Sequence, residues 1–131
     1  MDKIVPGFDL EERLLDCSAA IVRITETMRR TPAGTHVADQ LLRSGTSPLP
    51  NHGEAQAAES SADFVHKMSV CLKELRETKR CLRLVQRVPL LRVPANADPL
   101  LRETEELIRI FFLGTSTARK RALRKETDLE R

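Results

Sequence analysis

The chain has 131 residues, of which 31% are charged and 40% apolar, and it carries a formal net charge of +3. That length suits one domain with a core of its own. A surplus of three positive charges is too small to name a polyanion as partner, so the placement of the charges matters more than their sum. Four Phe with no Tyr and no Trp leave the core to Leu, Ile, Val, Met and Ala, which favours helix-on-helix packing over a β-sandwich. Three cysteines, Cys17, Cys71 and Cys81, are too few and too widely spaced for a disulfide framework. With no CxxC and no Cys/His cluster, a zinc site is not expected. Reduced thiols on apolar stripes point to the cytoplasm. The opening MDKIVPGFDLEERLL lacks the apolar run of a signal peptide, and no segment is long enough to span a membrane.

The first periodic segment covers residues 9–30. Leu10, Leu14, Cys17, Ile21, Ile24 and Met28 step by four and three in alternation, a heptad seam. Leu15 and Val22 are expected to widen it. Asp9 is the expected N-cap, with Glu11 and Glu12 in the first turn and Arg29 and Arg30 at the far end, as the helix dipole prefers. The sequence Thr31-Pro32-Ala33-Gly34 breaks the helix. A second helix is expected from Thr35 as N-cap, carrying Val37, Leu41 and Leu42. Gly45, Pro48, Pro50 and Gly53 should then interrupt it. The Ala-rich run from Glu54 restores helical character, so the prediction is a kinked or broken second helix reaching about residue 58.

The third helix is the clearest. From Ser61 to about Arg87, Phe64, Met68, Cys71, Leu75, Thr78, Leu82 and Val85 repeat the same rhythm, flanked by Val65 and Leu72. Pro89 and Pro94 bound a linker. Asp98-Pro99 is a good helix start, with Asp as N-cap and Pro in the first helical position. The fourth helix is placed with Leu101, Thr104, Ile108 and Phe111 on its seam and Leu100, Leu107 and Phe112 beside them. The charged end, TSTARKRALRKETDLER, either extends this helix or frays. The expected architecture is an all-α, antiparallel up-down four-helix bundle with a kinked or broken second helix. Residues 1–8 form an N-terminal arm, 9–117 the bundle and 118–131 a charged C-terminal tail.

Three stretches, LLRSGTSPLPNHGEA, FVHKMSVCLKELRETKRCLRLV and LLRETEELIRIFFLGTSTARK, together resemble the bacterial family named "four helix bundle protein". That family is related to proteins encoded in intervening sequences of large-subunit ribosomal RNA genes. It includes the accessory variability protein of diversity-generating retroelements. The resemblance spans roughly residues 8–121. It implies a homopentamer of bundles around a central channel. In the retroelement branch it implies a basic surface that engages a reverse transcriptase and nucleic acid. In the family's helix-two motif, S-I-P-A-N-I-A-E-G, Ser47, Asn51 and Glu54 match in register, whereas Pro48, Leu49, Pro50, His52 and Gly53 depart from it. Glu77 matches the family's helix-three glutamate. Arg80 and Cys81 replace an aromatic pair.

Several residues are candidates for more than packing. Ser47, Asn51 and Glu54 share one face if their segment is helical. They can bond a neighbouring subunit or satisfy backbone groups freed by the prolines within their own chain. Glu77 can pair with Arg43 or an Asn across the bundle or stay a solvated neighbour of Lys73, Lys79 or Arg80, and the same solvated reading applies to Glu74. His36, His52 and His66 show no ligand or acid–base spacing and read as surface or cap residues. The basic residues Lys73, Arg76, Lys79, Arg80 and Arg83 on helix three, with Arg119, Lys120 and Arg121 in the tail, are candidate nucleic-acid contacts. Solvated faces are the plain alternative. No aromatic platform for stacking bases is evident. No cofactor and no catalytic constellation is expected. The sequence supports a non-enzymatic oligomeric scaffold or adaptor with RNA or DNA as the proposed ligand. A protein–protein module without nucleic-acid affinity is the alternative.

Overall fold

The computed structural model describes residues 6–130, with side chains from Leu10 onward. Helix α1 spans Pro6–Glu26, α2 Pro32–Thr46, α3 Pro48–Gln56, α4 Ser61–Arg87 and α5 Asp98–Leu129, with a short 3-10 turn at Pro94–Ala97. No strand occurs among the described residues. α2 and α3 run on from one another as a single second helix bent by 19°. The chain is thus a four-helix bundle with a bent second helix, as its periodicity predicts.

The seam of α1 packs as expected. Leu14, Cys17, Ile21 and Met28 are buried, and Leu10 and Ile24 pack against them. Leu15 and Val22 do not widen it; both face outward. The helix starts at Pro6, so Asp9 lies inside it rather than capping it, and the Asp9 side chain lies outside the described residues. It ends at Glu26, so Arg29 and Arg30 are loop residues. Arg29 has a structural task there. Its backbone N–H donates to the Leu90 carbonyl at 2.9 Å and its Nε to the Pro89 carbonyl at 2.7 Å. The turn after α1 is thereby tied to the linker after α4. That linker also contributes Leu90 and Leu91 to the core.

α2 begins four residues earlier than predicted. Thr31, not Thr35, is the N-cap: its side chain accepts from the Gly34 N–H at 3.0 Å, and Pro32 occupies the first helical position. Pro suits that position because its missing N–H would have no helical partner there. Gly34 is required by a close approach, since a Cβ at this position would sit 1.9 Å from the Arg29 carbonyl oxygen. Leu41 is buried and Leu42 is exposed.

α4 matches its predicted span. Ser60 caps it, accepting from the Asp63 N–H at 3.0 Å. Met68, Cys71, Leu72, Leu75, Thr78, Leu82 and Val85 are buried. In α5 the seam is rotated slightly from the expected one. Leu100, Thr104, Leu107, Phe111 and Thr115 are buried, Leu101 and Ile108 are only partly so, and Phe112 is exposed. Asp98 falls inside the helix and makes no cap bond; it instead accepts from Gln86 Nε2 of α4 at 2.5 Å. The buried hydroxyls of Thr104 and Thr115 donate to the Leu100 and Phe111 carbonyls one turn back, so neither is left unsatisfied. α5 continues without interruption to Leu129, placing the basic residues from Arg119 onward on a helix. A fork of Arg13 pins α1 to α5. Its Nη2 lies 2.6 Å from Glu103 and 3.2 Å from Glu106, with Nε donating to Glu103 at 3.2 Å. These bonds hold the Arg13 guanidinium more firmly protonated than usual.

Candidate nucleic-acid interface

Two faces of α4 divide the work of the helix. The core face carries the apolar seam. The outward face carries Lys73, Arg76, Arg80, Arg83 and Arg87, spaced 3, 4, 3 and 4. All five are exposed, and that spacing keeps them on one side of a helix. Lys79 flanks them toward α5. Between the two helices this face forms a shallow groove of about 250 Å³, lined by Arg76, Lys79, Arg80 and Arg83 of α4 and floored by Ile108 of α5. It continues into a second hollow of about 460 Å³, where Lys79, Arg83, Gln86 and Arg87 face Leu101 and the carboxylate of Glu105.

The acids of α4 do not neutralise this stripe. Glu74 and Glu77 are both taken up by Arg43 of α2, on the other flank. Arg43 Nη1 lies 3.1 Å from Glu74, and Nη2 donates to Glu77. The Arg43 guanidinium holds the Glu77 carboxyl below its usual range. Of the two sequence readings for Glu77, pairing across the bundle is the arrangement seen, and Glu74 shares it rather than standing solvated. None of Lys73, Arg76, Lys79, Arg80, Arg83 and Arg87 forms an ion pair among the described residues.

The predicted basic residues do not all converge. Arg119 reaches α4, its Nη2 donating to Ser69 Oγ at 3.1 Å, which extends the outer α4–α5 seam. Lys120 is exposed. Arg121 lines a different groove of about 770 Å³, with Arg124 and Lys125 on its rim and Phe64, Met68, Gly114 and Ala118 among its walls. Gln86 and the Ile108 floor carry no sign of this role in the sequence, whereas Arg87 continues the basic series of helix three. The alternating three-and-four spacing of the basic residues is the signal that finds Arg87.

The bend carries the other candidates. Asn51 Nδ2 donates to the Ser47 carbonyl and to Ser47 Oγ, each at 2.9 Å. Glu54 pairs with Lys67 of α4 at 2.9 Å. The Cys71 thiol donates to the Pro48 carbonyl at 3.5 Å. All of these bonds lie within the chain, and those of Asn51 and Cys71 reach backbone carbonyls near the prolines. His52 corrects the surface reading: it is 1% exposed. Its ring meets Phe111 edge-on with centroids 6.0 Å apart. His52 Nε2 lies 3.2 Å from Gln56 Nε2, and Nδ1 has no partner among the described residues. Burial holds the His52 pKa below the ordinary histidine value. Burial also pushes the Cys17 thiol up to about 11 and the Cys71 thiol up to about 12, and it raises Cys81 as well. Such thiols are protonated at neutral pH and are poor nucleophiles. No group of three or more His, Cys, Asp or Glu among the described residues is placed to hold a metal ion, and no described helix is long and apolar enough to cross a membrane.

A four-helix bundle with a bent second helix and a basic outer face is the class of protein these features define. Comparison places it more narrowly. The family model described as "23S rRNA-intervening sequence protein" matches residues 10–112, and the chain belongs to that family. Among solved structures, the fold is similar to that of a protein of unknown function from the S23 ribosomal protein family of Bacteroides thetaiotaomicron. The two are 25% identical, with a TM-score of 0.77 over 86% of this chain and 99% of that one. No curated protein matches the sequence. The resemblance of the three helical stretches is therefore to the right family.

Proposed function

We propose that this chain is a non-enzymatic scaffold or adaptor that holds RNA through the outer α4–α5 seam. The observation that carries the reading is the stripe Lys73, Arg76, Arg80, Arg83 and Arg87, which the fold leaves exposed while diverting Glu74 and Glu77 to Arg43. A row of uncompensated cations over a shallow groove suits a phosphate backbone, which is bound by counterion release without reading sequence. The family's printed description concerns 23S rRNA, which makes RNA the ligand to test first, with DNA beside it. Assembly into a ring, a pentamer by family resemblance, would repeat the stripe around the particle. A reverse transcriptase is a partner to test if such a gene lies nearby. The reducing cytoplasm is the compartment that the three unpaired thiols suit.

The test is a titration of labelled RNA over a range of salt. Affinity is expected to fall steeply between about 50 mM and 200 mM salt. The triple variant Arg76→Gln, Lys79→Gln, Arg83→Gln should reduce the slope of log affinity against log salt by about two to three. Absence of binding at the lowest salt, or an unchanged slope in the variant, removes the reading.

A second reading, a protein–protein module, draws on Leu15 and Val22, which lie two turns apart on one outward face of α1. Mass measurement in solution addresses it. Dissociation in Leu15→Asp with RNA affinity absent in the parent protein would favour the module over the RNA reading.

A further inference from the structure

Only four phenylalanines occur in the chain and no other large aromatic, yet one of them lies on the surface. Phe111 is fully buried and closes on His52. Its neighbour Phe112 is 50% exposed. The position of Phe112 is fixed by two contacts on the same side of α5. Ile108, four residues earlier, floors the groove lined by Arg76, Lys79, Arg80 and Arg83. Arg119, seven residues later, bonds Ser69 of α4. Residues 108, 112 and 119 share one face of a helix. Phe112 therefore sits on the outer α4–α5 seam, about 6 Å along the axis from Ile108 and about 10 Å from Arg119. Along the helix, the basic residues around Ile108 lie to one side of it and Arg119 to the other.

We infer that Phe112 is a stacking platform for an unpaired nucleobase, so that the seam prefers single-stranded RNA to duplex. The inference rests on the nucleic-acid reading of the same seam. An aromatic face bracketed by arginines and lysines has the two elements that single-strand sites combine: a cationic track for the phosphates and a ring for the bases. A duplex keeps its bases stacked on one another and offers the ring nothing, so it gains from the cations alone. Loops, bulges and ends of a folded RNA would be the segments held.

The test uses the full chain and two labelled probes, a short oligouridylate and an RNA duplex of equal length, titrated by fluorescence anisotropy. Phe112→Ala is expected to weaken the oligouridylate about 5- to 150-fold. Duplex affinity and the salt slope of both probes should stay as they were, because no phosphate contact is removed. Phe112→Trp should restore or exceed the parent affinity. Equal loss on both probes, no loss on either, or failure of the Trp variant to restore binding overturns the platform. So does a change of mass in solution on Phe112→Ala, which would make the ring a contact with a second copy. Binding of both probes by the parent protein with Phe112→Ala unaffected removes the platform alone. A parent protein that binds neither probe removes the seam reading and the platform together.

Discussion

α4 and the bent α2–α3 segment lie side by side in the bundle, and they keep their shapes by opposite means. α4 is a regular helix whose buried side chains recur every three or four residues. Its shape follows from burying apolar area on one stripe. The α2–α3 segment has little such area. Pro48 and Pro50 remove two backbone donors, and the segment bends by 19° over its length. It is held instead by close fit and by specific bonds. Gly45 lies against Ile21 of α1, where a Cβ would come within 2.7 Å of two of its side-chain carbons. Asn51 bonds Ser47 twice, and Cys71 reaches the Pro48 carbonyl. α4 should therefore fail when atoms are taken away, and α2–α3 when atoms are added.

The largest expected effect tests the α4 half of that contrast. Leu82 is fully buried, and Leu82→Ala should lower unfolding stability by about 2–5 kcal/mol in urea titration. Leu42→Ala, on the exposed side of α2, should stay within about 0.5 kcal/mol of the parent. Similar losses from both would erase the difference between the regions. Next in size is Gly45→Ala, expected to cost about 1–3 kcal/mol by overpacking against Ile21. The paired change Ile21→Val should recover part of that cost in a double-mutant cycle; simple additivity would show that the contact does not matter. Asn51→Ala should cost about 0.5–1.5 kcal/mol through loss of the bonds to Ser47, measured by thermal melting. Gly53 sharpens the point, because it belongs to the same bent segment but a Cβ there would meet nothing within 4 Å. There Gly53→Ala should raise stability by about 0.5–1 kcal/mol, since a helix interior favours alanine.

The smallest effect is a dependence on pH. The His52 pKa is lowered in the folded chain from an ordinary value of 6.5. Well above that value the ring is neutral in both states and makes no contribution to the slope. As pH falls through about 6.5, the unfolded chain takes up a proton that the buried ring resists. Stability should decline from there downward and level off below the folded pKa. His52→Gln should flatten this slope. Glu77, lowered from 4.5, acts in a separate window, its contribution being lost as pH drops below that value. A parent protein with level stability from pH 7 to pH 5 would contradict the burial of His52.

The core of this protein is largely legible in its sequence. The seams of α1 and α4 name their buried residues because a helix period converts spacing directly into facing. The limits of legibility have particular causes. Thr35 competes with Thr31 for the N-cap because the Thr31-Pro32 pair reads equally well as a stop and as a start. Leu15 and Val22 look like core residues because apolar character alone does not say how wide a stripe the neighbours can cover. The α5 seam shifts to Leu100, Thr104, Leu107 and Phe111 because two adjacent apolar rows fit the same period, and α4 and α1 choose between them. His52 reads as a surface residue because a lone histidine in a Pro/Gly-rich stretch carries no sign of the Phe111 ring that covers it.

The candidate interface divides in the same way. The three-and-four spacing of Lys73, Arg76, Arg80, Arg83 and Arg87 is written in the sequence, as is the family resemblance. Their freedom from Glu74 and Glu77 is not, because it depends on Arg43 arriving from another helix. The same holds for the separation of Arg121 from this stripe and for the nearness of Phe112 to it. By itself the sequence determined that the chain is a helical bundle and which stripes of α1 and α4 face inward, since those follow from local period. Only the tertiary structure decided which charges remain uncompensated and which rings stay in water, because both depend on what packs from a distant part of the chain.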